Sequence, residues 1–185
     1  MSNKLSNRQI YSYAGGFALI IVLANFTVQF PINSWLTYGA LMYPLSFLAT
    51  DILSEKYSKK DTLKVVRVGV LLAIIPTILV ADGRIAFASI TTFFLTQQLD
   101  VLIFYALKKR YLSLWWLRNN GSTITSQFFD TTLFFFLAFG GVMPFETIIK
   151  LIIGDYLVKV VLALLDTPFF YLFAIKLQNR SINKT

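Results

Sequence analysis

The chain has 185 residues, 56% of them hydrophobic and 16% aromatic, and 14% are charged where a soluble domain has about 25%. It contains no Cys and no His, which removes disulfides, thiolate or imidazole metal sites, cysteine nucleophiles and Ser-His-Asp catalysis together. A net charge of +8 would suit nucleic acid if the cations formed one face, but their placement along the chain points to a membrane surface instead.

The N-terminal MSNKLSNRQIYSYAGG is polar and leads into an apolar segment of full membrane length. It has no small-residue cleavage site after a short apolar core, so it reads as the approach to a first helix rather than a cleaved signal peptide. On a ruler of about 18 to 25 residues per crossing, helices are predicted near Ile10–Phe30, Leu36–Leu53, Leu63–Ala81, Ile85–Leu107, Ser122–Val142 and Ile148–Ile175. Pro31, Asp82-Gly83, and Gly140-Gly141 with Pro144 punctuate three of the connections. The charged stretches SEKYSKKD and KKRYLSLWWLRNNG form the other two. The expectation is an all-α, multi-pass bundle of six transmembrane helices, one domain over residues 1–185, with no long loop outside the bilayer.

Every Lys and Arg except Arg84, Lys150 and Lys159 then falls at the N-terminus, in the second connection and its flank, in the fourth connection, or in the C-terminal tail. By the positive-inside rule both termini and those two connections face the cytoplasm, where the cations meet anionic lipid headgroups. This predicts an integral membrane protein whose surroundings are lipid, with no nucleic-acid partner.

Against that apolar background the polar residues stand out. A carboxylate at bilayer depth costs about 2.5 to 3.5 kcal/mol on insertion scales. In the first helix Asn25 and Gln29 are four apart and share a face. The second ends FLATDIL, with Thr50 and Asp51 at its inner end; Asp51 is a candidate for gating or coupling, or for pairing with Lys56. The fourth carries Gln97 and Asp100, and the fifth repeats that spacing with Gln127 and Asp130 after Ser122, Thr123 and Ser126. The sixth places Asp155, Lys159 and Asp166 on one stripe. Interhelical amide bonds account for Asn25 and Gln29 equally well. An internal ion pair accounts for Asp155 with Lys159, and Asp166, the other gating or coupling candidate, also suits a structural role. Pro76 and Pro168 read as kinks. The repeated Gln-x-x-Asp is harder to reduce to packing, because one polar atom per helix would suffice as glue.

A carboxylate only accepts hydrogen bonds, whereas an amide both donates and accepts. Two of each complement a flat heterocycle with an N–H/NH2 edge and a carbonyl, such as a guanine-like base, with Tyr43, Phe47, Phe93 or Phe128 on the ring faces. A protonated amine or a bare proton would satisfy the same composition and spacing.

The ordered motifs NFTVQFP, YPLSFLATDIL, GRIAFAS, QQLDVLIF, STITSQFFDTTLFFFLAF and DYLVKVV make the chain similar to the queuosine precursor transporters of the vitamin-uptake-like (VUT) family. The resemblance runs from about Asn25 to Lys176. It implies uptake of the 7-deazapurine bases preQ0 and preQ1 for queuosine synthesis in tRNA, without catalysis, metal or cofactor. Carried over by position, the implied substrate-binding residues are Asn25, Gln29, Arg84, Gln97, Asp100, Gln127, Asp130, Asp155 and Lys159, with Asp51 also carried over. Arg84, at the outer start of the fourth helix, either draws substrate in or locks that helix to a neighbour. Two arrangements fit: a carrier acting alone or as a homo-oligomer, and a substrate-binding subunit docked on a separate energising ATPase module. Ala14 and Ala18, a small-xxx-small pair, would offer the docking face for the second. No phosphate-binding Gly-x-x-x-x-Gly-Lys-Ser/Thr loop occurs in this chain.

Overall fold

The computed structural model describes residues 4–27, 30–33 and 36–176. Apolar residues fill most helical turns, and the breaks fall where the sequence supplies a cap or a proline. Helix α1 covers Asn7–Thr27, α2 Tyr38–Lys56, α3 Lys59–Val80, α4 Gly83–Arg110, α5 Trp115–Phe139 and α6 Phe145–Phe170. Ser58 caps α3, its hydroxyl accepting from the Asp61 amide at 3.2 Å, and Asp82 caps α4 by accepting from the Arg84 amide at 3.0 Å. Pro144 immediately precedes α6. Pro44, Pro76 and Pro168 lie inside α2, α3 and α6 without ending them, and after Pro168 the chain changes to a π-helical turn over Tyr171–Lys176. One small departure from an all-helical chain joins α1 to α2. There β1 (Pro31–Asn33) pairs antiparallel with β2 (Leu36–Thr37), and Tyr38 donates its amide to the Phe30 carbonyl at 3.1 Å.

The main helix contacts close a ring in the order α1, α3, α4, α5, α6, α2 and back to α1, while α2 also reaches α4 and α5 across the middle. Between α1 and α3 the approach is close. A Cβ built on Gly69 would meet the Phe17 ring at 2.7 Å and the Ala14 carbonyl at 3.0 Å. Phe17, Ile21, Val66, Val70, Phe93 and Val101 of α1, α3 and α4, with Tyr43 of α2, belong to the largest apolar cluster among the described residues. A second cluster, Phe104 with Phe170 and Ala174, ties α4 to the end of α6.

The burial pattern is inverted relative to a water-soluble protein. Leu79 is 79% exposed, Ile75 71% and Leu112 76%, whereas Asp51, Gln97, Asp100 and Gln127 are fully buried. Among the described residues, α1, α3 and α4 are each long and apolar enough to cross a membrane.

Candidate functional site

The buried polar residues line up along the inner faces of α2, α4, α5 and α6. At one end, Glu55 of α2 accepts a bidentate pair of bonds from Arg118 of α5, at 2.8 and 3.0 Å. Lys108 of α4 joins it at 3.6 Å and donates to the Ser54 and Glu55 carbonyls at 3.0 and 2.6 Å. Arg118 also reaches the Leu112 carbonyl in the α4–α5 connection at 2.8 Å. One turn inward, Asp51 accepts from Thr123 at 2.9 Å and has the Ser122 hydroxyl 3.3 Å away. The Asp100 carboxyl on α4 is a neighbour, met by Thr50 of the same turn of α2. The Thr50 hydroxyl lies 3.3 Å from Asp100 Oδ2, and Oδ1 has no donor among the described residues.

The next layer is a tie between α4 and α2. Gln97 donates to the Ser46 hydroxyl at 2.7 Å, and its oxygen lies 3.2 Å from the Thr50 hydroxyl, whose one proton it shares with Asp100 Oδ2. Beyond it, Asp130 of α5 accepts from Thr96 of α4 at 2.8 Å and from Lys159 of α6 at 3.3 Å. Lys159 is fully engaged, with Asp155 at 2.8 Å and Thr131 at 3.1 Å, and it stands 4.8 Å from the centre of the Tyr43 ring. Thr131 in turn donates to Asp155 at 3.2 Å. From Arg118 to Asp130 the column rises about 18 Å, at about 1.5 Å per helical residue.

The two Gln-x-x-Asp pairs therefore belong to adjoining networks rather than to one ring of four. Gln97 and Asp100 turn to α2, while Asp130 turns to α4 and α6. Gln127 differs from all of these: it is fully buried, and neither its amide nitrogen nor its oxygen makes a hydrogen bond. The antiparallel register of α4 and α5 is fixed by the Thr96–Asp130 bond and by Leu107, which lies 3.0 Å from a Cβ built on Gly121. That register sets Gln127 and the equally unbonded hydroxyl of Ser126 at the depth of Asp100. An amide, a hydroxyl and a carboxylate oxygen without protein partners thus occupy one level of the bundle. Each such group is costly in a dry interior unless something else bonds it.

The other predicted residues are placed as follows. Asn25 donates to the Ile21 carbonyl at 3.0 Å and accepts from the Tyr43 hydroxyl at 3.5 Å, so it touches the column only through Tyr43. Gln29 lies outside the described residues. Arg84 is exposed at the opposite end of α4 from Lys108 and donates to the Gly140 carbonyl after α5, a helix lock remote from the aspartates. Asp166 borders a cleft of about 10 Å3, with room for about one water, alongside Pro44, Leu48, Asn119 and Thr123. Among the aromatic candidates, Tyr43 and Phe93 stack on each other at 5.1 Å and Phe47 is fully buried, but Phe128 is 46% exposed and packs on Tyr156. A larger groove, about 520 Å3, lies near Trp115, Leu164 and Tyr171 and contains none of the aspartates.

Residue-by-residue reading missed Ser46, Glu55, Thr96 and Thr131. Thr96 lies four residues before Asp100 and on its face, which was a usable signal. Glu55 and Arg118 are separated by 63 positions, and no local pattern couples them.

The model described as "Putative vitamin uptake transporter" matches residues 37–83 and 77–173, which include α2 and the polar stretches of α4, α5 and α6. The chain is 35% identical over 160 residues to the "Probable queuosine precursor transporter" of Bacillus subtilis, covering 73% of this chain and 70% of that protein. It is 28% identical over 144 residues to the "Queuosine precursor transporter" of Escherichia coli, covering 65% of this chain and 64% of that protein. A "Probable queuosine precursor transporter" of Haemophilus influenzae is 28% identical over 155 residues, 65% of each chain. The chain thus spans about two thirds of the length of these relatives, and no solved structure matches it. An apolar exterior around a buried polar column, inside segments matched over most of its length, makes this chain a member of the putative vitamin uptake transporter family.

Proposed function

We propose that the chain is a multi-pass carrier of the inner membrane that takes up queuosine precursors, the 7-deazapurine bases preQ0 and preQ1, for tRNA queuosine synthesis. The names of its relatives support that substrate class. The observation that carries the reading is the level of the bundle where the Gln127 amide and Asp100 Oδ1 are buried without partners. A guanine-like base supplies what both lack. Its ring N–H and exocyclic amine donate to the Asp100 carboxylate, and its carbonyl accepts from the Gln127 amide.

The cation distribution supports six crossings with the Glu55–Arg118 end and both termini cytoplasmic. In this arrangement the three-residue cluster of Glu55, Arg118 and Lys108 closes the inner mouth. The side chains of the site are shielded from solvent, so substrate enters and leaves as helices part, first at one end and then at the other. The Ala14–Ala18 face is buried beside α3 rather than open to a docked ATPase module, which favours uptake by this polypeptide without one.

The test is rescue of tRNA queuosine in cells that cannot make the precursors and lack their own transporter, fed low concentrations of each. The wild-type chain restores the modification and Asp100→Ala does not. No rescue by a correctly inserted wild-type chain would refute the proposal.

A further inference from the structure

Two carboxyl groups meet inside the bundle with no cation between them. Asp51 and Asp100 are fully buried neighbours: Thr50, the residue before Asp51 on α2, reaches Asp100 Oδ2 at 3.3 Å, while Asp51 itself is met by Ser122 and Thr123 of α5, the helix packed on α4. Thr123 donates to Asp51, whereas the Ser122 and Thr50 hydroxyls, 3.3 Å from Asp51 and from Asp100 Oδ2, stand closer to the Arg118 and Phe47 carbonyls of their own helices. Asp100 Oδ1 has no donor among the described residues.

The charged groups of the surrounding helices do not relieve this. Glu55, next on α2, is taken by Arg118 of α5 and Lys108 of α4. Asp166 of α6 borders the cleft at Thr123 and would add a third negative charge. Lys159 of α6 is held by Asp130 and Asp155. On α3, Asp61 is bonded to Ser58, Lys64 to Asn7 and Arg67 to Gln98, and α1 contributes only Arg8, which is exposed. Two like charges in contact in a dry site are not both kept, and such pairs hold a proton in common.

We infer that Asp51 and Asp100 form a proton-binding site, and that the proton held there sets Asp100 free to bind the substrate. This rests on the uptake reading above for its second half only. With the site empty, the proton bridges the two carboxyls. When the base donates its N–H edge to Asp100, the O–H bond on Asp100 breaks and the same proton forms an O–H bond on Asp51. Asp100 is then an ionised acceptor for the ligand, and Asp51 a neutral donor to Asp100. Loss of the proton leaves two adjacent anions and opens the pair, so ligand affinity falls at high pH. Asparagine at position 51 would supply a donor at any pH, imitating the protonated acid.

The first experiment is infrared difference spectroscopy on the purified, ligand-free chain at neutral pH, wild type minus Asp51→Asn. The expected result is a protonated-carboxyl carbonyl band present in the wild type and lost in the variant. Asp100→Asn gives the same loss if Asp51→Asn does not fold. A difference spectrum without that band overturns the inference. The second experiment is preQ0 binding as a function of pH at fixed sodium. Wild-type Kd rises by about tenfold per unit once the pair titrates, and Asp51→Asn binds with a flat profile. Parallel profiles in the two proteins, or affinity that follows sodium instead of acidity, overturn it. The spectrum needs no substrate, so absence of the band defeats the proton site alone. A wild-type chain that shows the band but does not bind preQ0 defeats the uptake reading instead.

Discussion

Lys159 shows how a charge survives at the centre of an apolar protein. Its ammonium has two carboxylates, one hydroxyl and an aromatic face around it, so every proton it carries is used. Lys159→Ala would leave Asp130 and Asp155 buried without a cation and should destabilise the fold by about 3 to 5 kcal/mol. Neutralising both acids in the same variant should recover most of that loss, as read by thermal unfolding in detergent. Gln97 and Gln127 make a sharper contrast. Gln97→Leu breaks its bonds to α2 and should cost about 1 to 3 kcal/mol of stability. Gln127→Leu breaks none and should leave the melting temperature unchanged or higher, while weakening ligand binding. Equal stability losses in the two variants would contradict their assignment to different roles. At this scale the sequence made the Asp155–Lys159 pair visible, because a four-residue helical spacing is local. The Asp130–Lys159 and Asp51–Thr123 bonds join separate helices, and no spacing rule predicts which distant residues meet.

Helices and their joints carry a different kind of constraint. The small residue at Gly69 lets α3 lie against Ala14 and Phe17 of α1. Gly69→Leu should therefore cost about 1 to 3 kcal/mol by overpacking, and melting of the purified variant measures it. The mouth formed by Glu55, Arg118 and Lys108 joins α2, α4 and α5 at one end. Because the chain has no Cys, a single introduced thiol reports without background. At the buried position of Asn119, a cysteine should react slowly with a water-soluble maleimide and markedly faster when Glu55→Gln is added. Equal rates would show that the cluster does not hold this end shut. Helix number and order were legible from apolar run length. The start of α5 was not, because Arg118 made WWLRNN look like a surface connection, whereas the helix begins at Trp115 and Arg118 is buried against Glu55 of α2. The Pro31–Thr37 pairing also escaped notice, being too short for a period-2 pattern.

Across the whole molecule, apolar side chains face outward and polar ones converge between α2, α4, α5 and α6. Lipid makes that inversion stable, since the exterior needs no water and the interior polar groups bond one another. Several buried hydroxyls, among them Ser89, Thr92 and Thr132, also have no partner. Among the described residues only Gln127 leaves a whole amide unbonded, at the level of Ser126 and Asp100 Oδ1, and there the proposed polar heterocycle would bind. The apolar, helical class and the helices bearing the buried polar column could be read from the sequence. Which amide was free and which was tied could not, since Gln97 and Gln127 occupy identical places in the same four-residue motif. Equilibrium binding of preQ0 to the purified chain and to Gln127→Leu addresses this most directly. The wild type should bind, and the variant, equally stable, should lose about tenfold or more in affinity for the want of one buried hydrogen bond. Unchanged affinity in a folded Gln127→Leu protein would contradict the account.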